Sequence, residues 1–193
     1  MTRLCVYLGS NVGKSPAFAE AAAKLGATLA AREIGLVYGG GNVGLMGVLA
    51  DATLANGGEV IGVMPEHLVS KEIAHRGVTE LRVTATMHER KEQMADLADG
   101  FIAMPGGYGT LEEIAEMLTW NQLGLQAKPV VFLDIDRFWS PMLAMFDAAV
   151  DCGFVRPSYR MLAQRAVTVD EAIALAVAPV PETPHKWLDR DVR

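Results

Sequence analysis

Short apolar runs alternate with helical patterns along almost the whole chain, and no other feature limits the fold as tightly. Leu4–Leu8, Leu36–Tyr38, Val60–Val63, Phe101–Met104 and Val130–Leu133 are runs of three to five residues without polar alternation. Strands that short and apolar must be buried on both faces, a condition met by a parallel sheet covered by its crossover helices. Glu80–Val83 and Ala166–Val169 are expected to extend the sheet. Helices are expected at about Ala17–Arg32, Leu45–Ala55, Met87–Ala98, after Thr110, and over Pro141–Val150 and Asp170–Val177. The fold class is α/β, a parallel sheet wrapped by helices on both faces. With 193 residues, 51% of them hydrophobic, the chain can bury one sizeable core. One domain is expected over 1–178. A loose tail with three prolines and several charges is expected over 179–193.

In an open sheet of this kind, ligands bind outside the carboxyl ends of the strands. Three of those ends are glycine-rich: Gly9-Ser10-Asn11-Val12-Gly13, Gly39 to Gly44, and Pro105 to Gly109. Their coincidence points to one pocket for a shared anionic ligand, with Gly9, Ser10, Gly40, Gly41, Asn42 and Gly106 read as contact positions. The third turn, within Pro105–Glu113 (PGGYGTLEE), says most. Strand, glycine turn and helix together aim free backbone N–H groups and the positive end of a helix dipole at an anion. Glu112 and Glu113 lie just inside that helix, where a carboxylate beside a bound anion calls for a reason.

Each motif has a plainer reading. Gly39-x-Gly41-x-x-Gly44 matches the dinucleotide fingerprint, but the acidic residue expected after the next strand is replaced by Val63-Met64-Pro65. A nicotinamide-dependent oxidoreductase is therefore disfavoured, and helix–strand packing accounts for Gly44 and Gly47. Thr110-x-x-Glu113 fits a capping box, which by itself would explain both residues. The glycine turn directly before it favours a functional Glu113. Arg90 and Lys91 follow one another on a helix and so point about 100° apart, free to do different work. An Arg there can grip a phosphate in fork geometry or serve a leaving group. His88 stands out among the four histidines, with no nucleophile to pair with.

Composition narrows the classes. A net charge of −6 and a pI near 5.2 argue against a nucleic-acid partner. Cys5 and Cys152 make neither a disulfide framework nor a zinc site, and no cofactor or metal is expected. No stretch approaches membrane-spanning length, and the apolar run in MTRLCVYLGS is too short for a signal peptide. The expectation is a cytoplasmic protein without a membrane partner.

Gly39-Gly40-Gly41-x-x-Gly44-Leu45-Met46-Gly47, Met87-His88-x-Arg90-Lys91 and Pro105-Gly106-Gly107-x-Gly109-Thr110-x-x-Glu113 together resemble the LOG family. Its members are cytokinin riboside 5′-monophosphate phosphoribohydrolases, long labelled possible lysine decarboxylases. The resemblance runs from about Leu4 to Val177. It implies a Rossmann-like doubly wound sheet, a homodimer, and hydrolysis of the N-glycosidic bond of adenine-type nucleoside 5′-monophosphates, AMP included. The products would be a free base and ribose 5-phosphate. The catalytic pair falls on Arg90 and Glu113. Substrate contacts fall on Glu72, Lys91, the run Gly107, Tyr108, Gly109, Thr110, Leu111 and Glu112, and Thr119, with Met87 beside them. Three positions depart from the family pattern: Asn42 and Asn11 replace serines, and Thr86 replaces an aspartate. No pyridoxal-phosphate framework surrounds any lysine, so the decarboxylase label has no support. The competing readings are a non-catalytic nucleotide sensor or carrier and, more remotely, a structural scaffold.

Overall fold

The computed structural model describes residues 1–69 and 73–180. Among them, seven strands form one sheet in the order β4-β3-β2-β1-β5-β6-β7. They are β1 (Arg3–Tyr7), β2 (Gly35–Tyr38), β3 (Val60–Pro65), β4 (Glu80–Thr84), β5 (Gly100–Ala103), β6 (Val130–Leu133) and β7 (Ala163–Ala166). Every neighbouring pair is parallel. The helices are α1 (Pro16–Ala31), α2 (Gly44–Ala55), α3 (Glu66–Val69), α4 (Met87–Leu97), α5 (Tyr108–Leu123), α6 (Ser140–Asp151), α7 (Pro157–Arg160) and α8 (Val169–Ala176).

Alternation along each central strand sends side chains to two cores. Leu4, Val6, Ile102, Val131 and Leu133 meet α1, α2 and α8 on one face. Cys5, Tyr7, Phe101, Phe132 and Val130 meet α4, α5 and α6 on the other. Both faces being covered, the central strands carry no polar alternation, which is why they stand out in the sequence. The edge strands do carry polar residues. In β4, Glu80 and Arg82 pair with each other at 2.8 Å, and polar Gln164 and Arg165 occupy the middle of β7. Charges on an edge discourage further strand pairing.

The last strand begins three residues before the expected Ala166–Val169 and ends at Ala166. Thr168 then caps α8 by accepting the Glu171 N–H at 3.2 Å. The apolar pair Ala166-Val167 straddles the strand end, so the apolar pattern runs on past the last paired residue. Residues 181–193, most of the expected tail, lie outside the described residues.

Strand order reverses between β1 and β5, so the crevice at this topological switch point opens above their carboxyl ends. Two glycine-rich turns flank it directly and the third, after β2, is adjacent. They are tied together: Gly9 N–H donates to Pro105 O at 3.1 Å, and Leu45 N–H donates to Gly9 O at 3.1 Å.

Candidate active site

A cavity of about 380 Å³ occupies the switch point. Its lining includes Gly9 and Ser10 from the turn after β1, Gly107 to Thr110 at the start of α5, and Arg90 and Glu113. Met46, Leu68 and Ile73 close an apolar side. A side chain at Gly106 is excluded, since a Cβ there would lie 2.2 Å from Thr110 Oγ1. The strand-end rule applied to β3 as well would have pointed to Leu68 and Ile73.

The capping-box reading of Thr110 and Glu113 fails on geometry. The N-cap of α5 is Gly107, three residues before Thr110, and among the described residues there is no side-chain cap on this helix. The first N–H groups of α5 are therefore left toward the cavity, where the helix dipole favours negative charge. Glu113 points elsewhere. Its Oε1 accepts from Arg90 Nη1 at 2.8 Å, and both side chains are only about a tenth exposed, at 10% and 11%. Burial raises the Glu113 carboxyl above its ordinary value, and the Arg90 charge only partly opposes that.

Arg90 is held twice, its Nε donating to the Val63 carbonyl within β3 at 3.0 Å. It presents itself from α4, whose N-cap Thr86 accepts the Glu89 N–H at 3.1 Å while Glu89 Oε2 accepts the Ala85 N–H at 2.7 Å. A Thr-x-x-Glu cap thus exists one helix earlier than expected, with Glu89 reaching the N–H of the residue before the N-cap, and it fixes where α4 starts and so the turn on which Arg90 points inward. Thr86, one of the three departures from the family pattern, supplies the capping oxygen itself.

Lys91 follows a different course, as its angle on the helix requires. Its ammonium is paired with Glu112 and, at 3.1 Å, with Glu116, which stitches α4 to α5 beside the cavity. Burial works against the charged form, yet the two carboxylates outweigh it and hold the pKa above the ordinary lysine value.

The remaining expected positions divide. Gly40, Gly41 and Asn42 grip the segment after α3: His75 N–H donates to Gly40 O, Gly41 bridges Ala74, and Asn42 N–H donates to Ile73 O. Met87 is exposed at the head of α4, and Leu111 packs against the core under α5. Thr119 lies outside this cavity, in an apolar groove on α5 with Leu118, Gln122, Phe146 and Tyr159. Glu72 lies outside the described residues. His88 is exposed, whereas His75 is buried and paired with Asp51 at 2.9 Å, a contact with no sequence signature. Among the described residues no group of acidic, His and Cys side chains could hold a metal ion, and no helix is long and apolar enough to cross a membrane.

The sheet order and switch-point cavity define a Rossmann-like α/β protein. The same architecture recurs in the molybdenum cofactor binding protein of Rippkaea orientalis (TM-score 0.68, 24% identity, 90% of this chain and 94% of that one). It recurs again in the Moco carrier protein of Chlamydomonas reinhardtii (TM-score 0.68, 24% identity, 90% and 93%). At that identity the likeness is one of fold alone. Residues 46–176 match the family model described as "Possible lysine decarboxylase". The probable cytokinin riboside 5′-monophosphate phosphoribohydrolase LOGL1 of Oryza sativa subsp. japonica is 47% identical over 89% of this chain and 77% of its own length. LOG7 of Arabidopsis thaliana, a cytokinin riboside 5′-monophosphate phosphoribohydrolase, is 47% identical over 89% and 79%. The chain belongs to the LOG family.

Proposed function

We propose that this protein is a phosphoribohydrolase that splits the N-glycosidic bond of cytokinin riboside 5′-monophosphates and AMP, releasing the free base and ribose 5-phosphate. The observation that carries the reading is the buried Arg90–Glu113 pair on the wall of a cavity whose floor is the uncapped start of α5. The 5′-phosphate rests on the N–H groups of Tyr108, Gly109 and Thr110, where the helix dipole assists. The ribose then lies toward Glu113. Breaking the bond builds positive charge on the sugar, which the carboxylate stabilises while it orients or deprotonates the attacking water. Arg90 keeps that carboxylate in place and offers its outer nitrogen to the departing base or the ribose. Lys91, held charged by Glu112 and Glu116, is in the opposite state to an imine-forming lysine, which needs a depressed pKa.

Family resemblance adds a homodimer to this reading. Leu118 and Trp120 are half-buried on α5 while Met117 is spent in the core, and the groove around Thr119 offers a face for a second copy. A scattering mass of one chain in solution would reject it.

Anchoring a remote phosphate converts binding energy into rate, so bare nucleosides should react poorly. Purified protein is given AMP, the N6-isopentenyl nucleotide and the two matching nucleosides, and free base is assayed. Release from the monophosphates alone is expected. Equal release from nucleosides removes the phosphate cradle, and tight nucleotide binding with no base released favours a sensor or carrier.

A further inference from the structure

We infer that Gly39 is a positioning residue for the reaction centre: the space left by its missing Cβ is where the Arg90 guanidinium is seated against Glu113. A Cβ built on Gly39 would lie 2.2 Å from Arg90 Nη2 and 3.4 Å from its Cζ. Ordinary contact begins near 3.4 Å, so the nitrogen would have to retreat by more than an ångström.

Retreat at the end of a long side chain is usually cheap, but this side chain is pinned. Nε is bonded to the Val63 carbonyl at 3.0 Å, Nη1 to Glu113 at 2.8 Å, and the residue is 9% exposed. A planar guanidinium moves as one body, so displacing Nη2 displaces both bonded nitrogens. The backbone cannot yield either. Gly39 directly follows β2, which is paired with β1 on one side and β3 on the other. The Met46 sulfur, 3.5 Å from the Cβ position, closes the remaining side.

The three consecutive glycines therefore have different reasons to be glycine. Gly40 has a φ of +77°, a backbone requirement. A Cβ on Gly41 would meet the Met46 methyl at 2.6 Å, the free end of a flexible chain. Gly39 alone of the three faces the guanidinium. The inference rests on the reading of Arg90 and Glu113 as the reaction centre, but the seating of Arg90 can be observed without turnover.

The test compares wild type, Gly39→Ala, Arg90→Lys and the double variant, since a lysine lacks the second terminal nitrogen that the Cβ would strike. The first readout is the Arg90 Nε–H resonance and its protection from solvent exchange. Gly39→Ala is expected to shift it and abolish the protection. The second is kcat with AMP, expected to fall on the order of a hundredfold with KM changed only a few-fold, because a transition-state interaction is lost. In the Arg90→Lys background the same glycine change is expected to cost less than about threefold, as coupled sites are non-additive. An unaltered Arg90 resonance with kcat within about threefold of wild type overturns the proposal, as does an equal loss in both backgrounds. Should Gly39→Ala not fold, a folded double variant upholds the guanidinium clash and an unfolded one refutes it. If wild type releases no base, the hydrolase reading falls while the resonance still decides the seating.

Discussion

Two buried carboxylates sit at the carboxyl end of the same sheet, each with an arginine, and their environments push them in opposite directions. Asp134 follows β6, with a side chain that is 0% exposed. It accepts from the Trp139 N–H at 2.6 Å, the Ser140 hydroxyl at 2.8 Å and Arg165 Nε at 2.7 Å. Burial alone would raise its pKa, but Arg165, Ser140 and the Trp139 amide together hold it below the ordinary aspartate value. Among the described residues Glu113 receives a single side-chain hydrogen bond, from Arg90, and burial wins. A carboxylate saturated with donors is structural, because nothing is left for a substrate. One that is buried and under-satisfied keeps lone pairs and basicity in reserve, as a reacting group requires.

The largest expected difference is in turnover. Glu113→Gln keeps the shape and an acceptor for Arg90 but removes the charge that shelters a cationic sugar. It should lower kcat/KM for AMP by on the order of a hundredfold or more, about 2.7 kcal/mol of transition-state stabilisation. A folded variant with near-normal turnover would reduce Glu113 to a structural partner of Arg90 and erase the contrast.

Asp134→Asn should do the reverse. The amide nitrogen it introduces faces donors from Ser140 or Arg165 in place of an acceptor, so charge-assisted bonds worth about 2–3 kcal/mol are lost. Thermal melting should fall by roughly 5–10 °C for a chain of this size, with kcat of the folded protein within about twofold. A collapse of kcat without a change in melting would move Asp134 into the chemistry.

That contrast was only half legible in the sequence. Val130–Leu133 announces β6, yet Asp134 after it looks like any polar loop residue, because its three donors arrive from the start of α6 and from an edge strand that begins three residues before its apolar signal. Thr-x-x-Glu occurs at Thr86–Glu89, Thr110–Glu113 and Thr168–Glu171. It caps α4 and α8 but not α5, because α5 starts at Tyr108 and swallows Thr110 into its first turn. The pattern fixes what a threonine can do only once the helix start is known. The glycine turns fared better: a turn that must approach another turn has few residue choices, and their place at strand ends put them near one switch point. Which glycine serves backbone conformation and which makes room for a side chain depends on distant Arg90, and local sequence does not carry that.

The smallest effect expected is also the most direct measure of the contrast. Asp134 titrates below its ordinary 3.8, so its contribution to stability is complete above that value and is lost as pH falls through the depressed folded pKa. Glu113 titrates above its ordinary 4.5, so the folded chain holds this proton longer than the unfolded chain does. Its ionisation therefore costs stability progressively as pH rises from 4.5 to the raised folded value, and the cost is constant beyond it. The acid limb of kcat/KM should follow Glu113, because only the carboxylate can shelter the sugar cation, and should lie above an ordinary glutamate. A carbonyl-carbon NMR titration resolving both side chains checks this: Glu113 is expected to move after free glutamate on raising the pH, and Asp134 before free aspartate. Were Glu113 to titrate at or below 4.5, Arg90 would have overcome burial, and the site would be an ordinary buried ion pair.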